Sequence, residues 1–451
     1  MLRKICLLAP LLLAPLRAQD NPNQQEILRE VLRRLDTLEQ QNRELLQEVK
    51  ELKQQSNSPS AETPEAAGQP SPPPLEERVK VNEERIAEQA QTKVESQQKL
   101  PVWLYGTLLF NSFYNDNKDA ANALGSYGLL SGAASSGATV RQTILGLNFQ
   151  GPSLPGNGHV SGNLEMDFWG GPPGPSSNWL RIRRAGLSFD WTNTTFFVGQ
   201  DKPLISPYEP DSLAEVAIPA LSGSGNLWFW LPQARVTHSI PISARNGIDA
   251  QVAVLQVGSY LESNHATPGL FPGGVRPALE GRVAFWHKDG DTRKFEFAPG
   301  FHISRDRVNG SAVTARIGSL DWLYAPFAML NFKGAAYYGE DVAALGGLGN
   351  GFYLAGYGTA RPVVSGGGWA QVSAPIDNRI TLNLFGGLEH DRASGIQALS
   401  IAQAGSVAGN VMFHLTSNTI FSLEAQRLWT TTFMGTPETY NHYDLAVAYL
   451  F

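Results

Sequence analysis

The hydrophobic positions of the chain follow three successive patterns. Arg3 and Lys4 precede an apolar run, residues 5–16, and the small Ala18 offers a cleavage point, the layout of a secretory signal peptide over residues 1–18. From Leu28 the apolar side chains recur at steps of three and four. Leu28, Leu35, Asn42 and Val49 occupy one set of heptad positions, and Val31, Leu38, Leu45 and Leu52 occupy the other. Beyond Pro101 the period falls to two. In the closing segment Tyr443, Leu445, Val447, Tyr449 and Phe451 alternate with Asp444, Ala446, Ala448 and Leu450. Alternation of this kind places one set of side chains on each face of a strand.

The heptads predict a coiled-coil oligomerisation segment over residues 24–55, its core about 38 Å long at 1.5 Å per residue. A helix of that length with nothing to pack on is marginal in water. Asn42 at a core position costs stability but fixes register and strand number. Leu32, Leu46 and Ile27 widen the apolar seam, which fits three strands better than two, although Asn42 alone admits a dimer. Residues 56–74, rich in Pro, Ser, Ala and Glu, read as an extended spacer. Val79, Asn82 and Ile86 make residues 75–100 a short helical lead-in at most.

Residues 101–451 divide by alternation and turn chemistry into about sixteen strands, the first at 102–114, the sixth at 228–240 and the last at 439–451. Tight connections such as Thr192-Asn193-Thr194, Asp289-Gly290-Asp291 and Thr416-Ser417-Asn418 alternate with mostly long, Gly- and Ser-rich ones, among them 203–227. An even strand number with short turns on one side and long loops on the other describes an all-β transmembrane barrel, here preceded by an N-terminal α-helical coiled coil. In lipid every backbone polar group needs an internal partner, which a closed sheet supplies. A soluble sandwich of some 350 residues would usually split into several domains, and no linker or composition shift divides 101–451.

Composition sharpens the boundary. All 44 aromatic residues, and every glycine except Gly68, lie beyond residue 100, where interfacial girdles would need them. Beyond the N-terminus no run of about 18 apolar residues occurs, which excludes helical spans. The single cysteine, Cys6, leaves with the signal, so disulfides hold nothing together. Without the signal the chain carries 32 basic and 41 acidic residues, a net of −9, and no nucleic-acid footprint.

Together the signal, stalk, Gly-rich barrel and terminal Phe451 resemble the outer-membrane porins, and the stalk narrows this to the DcaP-like trimeric porins. The most specific stretch runs from Trp179 to Ile240: WLRIRRAGLSF, then FFVGQDKPLISP, then PQARVTH. Phosphate-selective porins are near neighbours, but no cluster of basic residues like theirs is evident. The resemblance implies a homotrimer in the bacterial outer membrane, embedded in its lipid. The stalk would lie in the periplasm and reach toward the cell wall. It further implies that the loop at 203–227 folds into the lumen. Alternation turns Arg181, Arg183 and Arg235 inward, facing Glu209, Asp211 and Glu215 on that loop, and Glu165 and Asp167 would pair with the arginines. The parity of apolar residues changes after Ile182, which a bulge near Arg184–Gly186 would explain. Other lumen charges expected are Glu280, Arg282, Lys294, Glu296, Arg316, Lys333 and Arg379.

The function expected is passive diffusion of small hydrophilic solutes. The alternatives are an anion-, phosphate- or dicarboxylate-selective porin, and, from another class, an outer-membrane barrel enzyme. No G-x-S-x-G elbow, Walker motif or H-E-x-x-H occurs, and neither a cofactor nor a metal is expected. A stalked trimeric adhesin would contribute only a few strands per chain, and this chain has enough for a whole barrel.

Overall fold

The computed structural model describes residues 101–116, 133–171, 178–256, 273–308, 311–349, 351–355, 359–392, 400–433, 435 and 437–451. The signal, coiled-coil positions, spacer and lead-in (1–100) lie outside the described residues. Within them sixteen antiparallel strands close into one barrel. They are β1 (Val102–Asn115), β2 (Ser135–Thr139 and Ile144–Leu154), β3 (Gly158–Gly170), β4 (Trp179–Asp190), β5 (Thr194–Asp201), β6 (Leu231–Pro241), β7 (Asn246–Leu255) and β8 (Gly273–Asp289). The circuit continues with β9 (Thr292–Val308), β10 (Ser311–Phe327), β11 (Leu330–Glu340), β12 (Val364–Pro375), β13 (Ile380–Arg392), β14 (Ile401–His414), β15 (Thr419–Thr432) and β16 (Glu438–Leu450). A small hairpin, Phe352–Ala355 with Thr359–Pro362, sits in the connection between β11 and β12.

Closure is made by the chain ends. β16 pairs with β1 from Thr107↔Leu450 to Asn115↔His442. The N–H of Phe451 donates to the Gly106 carbonyl at 3.1 Å, and the Gly106 N–H returns a bond to the Phe451 carbonyl at 3.0 Å. No edge is left for lipid to strip.

The two faces are inverted relative to a soluble protein. Leu108, Phe110, Val252, Phe297, Phe301, Leu384, Val411, Leu423 and Leu445, distributed around the wall, are exposed. Asn111, Asp167, Arg282, Asn383, Asn410, Glu424 and Asp444, at inward positions, are buried. Apolar out and polar in is the signature of a strand in lipid. On β16, Tyr443 and Tyr449 flank Leu445 and Val447, and Tyr443 stacks on Tyr114 with ring centroids 6.3 Å apart, as in an interfacial girdle.

Two expectations change here. The sixth strand starts at Leu231, not 228, because Trp228 and Phe229 turn inward and donate their N–H groups to the Leu345 carbonyl at 3.1 and 3.3 Å. The parity switch in β4 falls at Arg183: Glu165 faces Arg184 while Met166 faces Ile182, leaving Arg183 as the extra residue. Gln200 on β5 donates to the freed carbonyls of Ile182 and Arg183 at 3.0 and 3.1 Å, so the bulge is held by a side chain.

A charge on the apolar face tests this placement. Leu445→Arg should cost about 2–4 kcal/mol near the bilayer midplane, measured by urea titration of folding into lipid vesicles. Leu445→Met should cost well under half of that; equal costs would put Leu445 elsewhere than against lipid.

Candidate functional site

The connection from β5 to β6, residues 202–230, touches almost every sector of the wall. At its start the Leu204 N–H donates to Glu280 of β8 at 2.7 Å, and the other Glu280 oxygen lies 2.9 Å from His302 Nδ1 on β9. Tyr208 donates its hydroxyl to Glu296 of β9 at 2.9 Å. Asp211 accepts from Lys333 Nζ of β11 at 2.7 Å and from Gln371 Nε2 of β12 at 2.6 Å. Ser212 donates to Glu424 of β15 at 2.7 Å, while Asn410 of β14 and Asn111 of β1 donate to the Asp211 and Leu213 carbonyls, both at 2.8 Å.

Gln142, in the break between the two halves of β2, grips the middle of the segment. Its Nε2 donates to the Ala214 carbonyl at 2.7 Å, and its Oε1 accepts the Val216 and Ala217 N–H groups at 2.7 and 2.9 Å. Further along, Ala220 and Leu221 pack with Ala335, Trp369, Phe385 and Ala408 on β11–β14. There the wall itself yields. A Cβ at Gly387 would stand 2.2 Å from the Ser224 carbonyl, and one at Gly225, whose φ is +106°, would stand 2.1 Å from the Gly368 carbonyl. A segment that meets β1, β4, β8, β12 and β15 in turn runs across the interior of the cylinder. Trp228 packs beside Phe229 and Trp230 at centroid separations of 4.8 and 5.5 Å, closing the stretch against Val342 and Leu345.

Most of the predicted charges lie on this inner surface; Arg379, expected in the lumen, instead stands exposed in the short turn between β12 and β13, where its N–H donates to Asp377. Those that pair on the inner surface form three groups. In the first, Arg181 chelates Asp167 with contacts of 3.1 and 2.5 Å, and Arg183 reaches Glu165 at 3.2 Å and Asp167 at 3.4 Å. Both arginines also donate into the loop, Arg183 to the Val216 carbonyl at 2.7 Å and Arg181 to that of Ala217 at 2.5 Å. Trp230 lies beneath both guanidinium groups, 4.5 Å from that of Arg183 and 5.3 Å from that of Arg181. Their carboxylate partners are therefore on β3, while the loop meets them with backbone. The loop carboxylates go elsewhere: Asp211 to Lys333, Glu209 to Lys202, and Glu215 into a buried position. Burial alone would raise the Glu209 carboxyl, but Lys202 and then Arg183 hold it below the ordinary range. Burial and the adjacent Glu296 raise the Tyr208 hydroxyl, keeping it a donor.

In the second group Asp201 is shared. Arg184 Nε reaches it at 2.7 Å and Arg235 Nη2 at 2.8 Å. Two guanidinium groups on one carboxylate leave one positive charge. This trio lines a cavity of about 640 Å³ at the short-turn end, with Tyr105, Asn148, Gln150, His159 and Asn163. The third group centres on Arg282, which bonds Asp321 at 2.8 Å, Gln251 at 2.8 Å and also Glu296. The expected lumen residue Arg316 is a correction: it stands on the outer face, 72% exposed, because Val313, Ala315 and Ile317 take the inward positions of β10.

Sequence reasoning missed Asp201, Gln142, Gln371 and Asn410. Asp201 sits at a strand end, where alternation stops being informative, and a lone amide among inward positions carries no motif. Arg184, beside the extra residue of β4, turns inward to Asp201 because of the bulge.

Structural comparison places the barrel in a known architecture. The outer membrane channel DcaP of Acinetobacter baumannii superposes with a TM-score of 0.64 at 17% identity, covering 78% of this chain and 97% of that one. An anion-selective porin from Comamonas acidovorans gives 0.53 at 14% identity, with 78% and 100% covered. OmpF of Salmonella typhi gives 0.51 at 10%, with 78% and 97% covered. The chain has the porin fold. No protein-family model and no curated protein sequence matches it.

The porin fold leaves the seat of the inner segment testable by its glycines. Gly225→Val forces a left-handed φ on a β-branched residue and a clash with the β12 backbone. Residues 202–230 should then become cleavable by added protease in a barrel that stays closed. Equal resistance in variant and parent would show that the segment does not depend on this fit.

Proposed function

We propose that the chain is an outer-membrane porin that lets small hydrophilic solutes diffuse passively through a water-filled barrel narrowed by residues 203–227. One observation carries this reading: a segment tied to side chains around the whole inner wall of a cylinder whose outside is apolar. Such a segment narrows a lumen without plugging it by a separate domain, and the paired charges on it act on a permeant by sign and by ease of dehydration. The porin fold of the neighbours agrees, and the sequence carries no G-x-S-x-G elbow, Walker motif or H-E-x-x-H.

The same reading takes three barrels held by the coiled coil at Leu28–Leu52, with the stalk in the periplasm. Anion selectivity is the second reading. The surplus positive charge of Arg184, Asp201 and Arg235 facing the cavity favours it, and one neighbour is an anion-selective porin.

Planar-bilayer recording tests both. Conductance in steps of three is expected, whereas lipid hydrolysis without conductance would favour a barrel enzyme. Replacing Arg181 and Arg183 together by Ala should lower the anion-to-cation permeability ratio roughly two- to fivefold, the effect of about 1 kcal/mol of Coulomb energy in water. An unchanged reversal potential would remove them from the narrow zone. Deleting residues 27–55 should loosen trimers on native gels and leave conductance in place.

A further inference from the structure

β8, β9 and β10 are each 17 residues long, whereas a tilted strand crosses the hydrocarbon in about 9–11 residues. On β9 the outward apolar positions Phe295, Phe297, Phe301 and Ile303 use up that length. Two residues on, roughly 7 Å along the strand, the outward positions become Arg305 and Arg307, both exposed. Register sets the exposed Arg276 of β8 opposite Arg305, after a shift beside Pro277, and Arg316 of β10 opposite Ile303.

Four guanidinium groups on three adjacent strands thus rim the apolar band at the long-loop end. Their acidic company among the described residues is Glu340 of β11, 3.9 Å from Arg316. Asp306, between Arg305 and Arg307, is buried on the inner face. Inside the barrel Arg181, Arg183, Arg184, Arg235 and Arg282 each hold a carboxylate; Arg276, Arg305 and Arg307 hold none among the described residues. Like charges directly opposite each other across strands are destabilising, so this rim carries a cost that a bound anion would remove. Guanidinium groups donate paired N–H bonds to phosphate oxygens. The depth of the cluster, directly above Leu279, Phe301 and Ile303, suits an anion whose attached chains lie along that band.

We propose that Arg276, Arg305, Arg307 and Arg316 form a docking site for the phosphate headgroup of an anionic lipid in the leaflet on the long-loop side. The inference rests on the membrane reading above and adds a lipid partner to it. A free phosphate would gain nothing from the apolar band, so the lipid is the occupant.

Native mass spectrometry of the full chain in dodecylmaltoside micelles tests this, with dioleoyl phosphatidic acid and dioleoyl phosphatidylcholine as probes. The parent should retain phosphatidic acid in preference to phosphatidylcholine. The variant R276Q/R305Q/R307Q/R316Q should bind it roughly tenfold to a hundredfold more weakly, given the attraction of each basic group to an anionic lipid. A control, R245Q/R379Q, at short turns of the opposite end, should behave as the parent. Equal retention by parent and fourfold variant overturns the site, and so does full displacement of the lipid by an equal concentration of inorganic phosphate. Bilayer conductance of the same samples separates the two readings. A conducting protein without lipid preference sinks the lipid site alone, whereas a lipid-binding protein without conductance sinks the porin.

Discussion

Backbone pairing without an edge is the constraint on which the rest of the structure depends. In hydrocarbon an unpaired N–H or carbonyl costs several kcal/mol, and a sheet meets that demand only by returning to its first strand. Here the return is made by β16 on β1, down to the exchange of bonds between Gly106 and Phe451. Once the ring is closed, each strand has an inside and an outside, and the period of two decides what stands on each. Leu445 and Asp444, adjacent in sequence, end up exposed on the outer face and buried in the interior respectively.

A closed cylinder creates a second demand, because a chain segment crossing its interior must satisfy its own backbone. Residues 202–230 form little regular structure, so the wall supplies their partners. Gln142, Asn410, Asn111, Arg181 and Arg183 all address loop carbonyls or N–H groups. Polar inward positions therefore hold the segment that crosses the interior. Where the tip comes closest, the wall gives way by having no side chain at Gly387.

Charge placement follows from the cost of burial. Arg183 and Arg282 are nearly inaccessible, and a guanidinium group removed from water is tolerated when carboxylates and carbonyls surround it. Glu165, Asp167 and Glu296 fill that role from the adjacent strand and Asp321 from the next one along. On the outer face, above the apolar band, Arg305 and Arg307 are exposed and hold no carboxylate among the described residues.

The barrel was legible in the sequence because its strands are specified by a short-range rule: the period of two and the turn residues need only neighbouring positions to be read. That local rule sufficed for sixteen strands, for the inward facing of Arg181, Arg183 and Arg235, and for a parity switch in β4. What local pattern could not carry was partnership. Asp201 accepts Arg184 and Arg235, and Asp211 accepts Lys333 from 122 positions away, because closure brings distant strands onto one inner surface. The turn of Trp228 and Phe229 away from the strand, and of Arg316 to the outer face, were likewise decided by packing. Composition and periodicity determined a membrane-compatible cylinder; only the closed tertiary structure decided which charges meet, since contact across a lumen depends on curvature and register that no stretch of sequence contains.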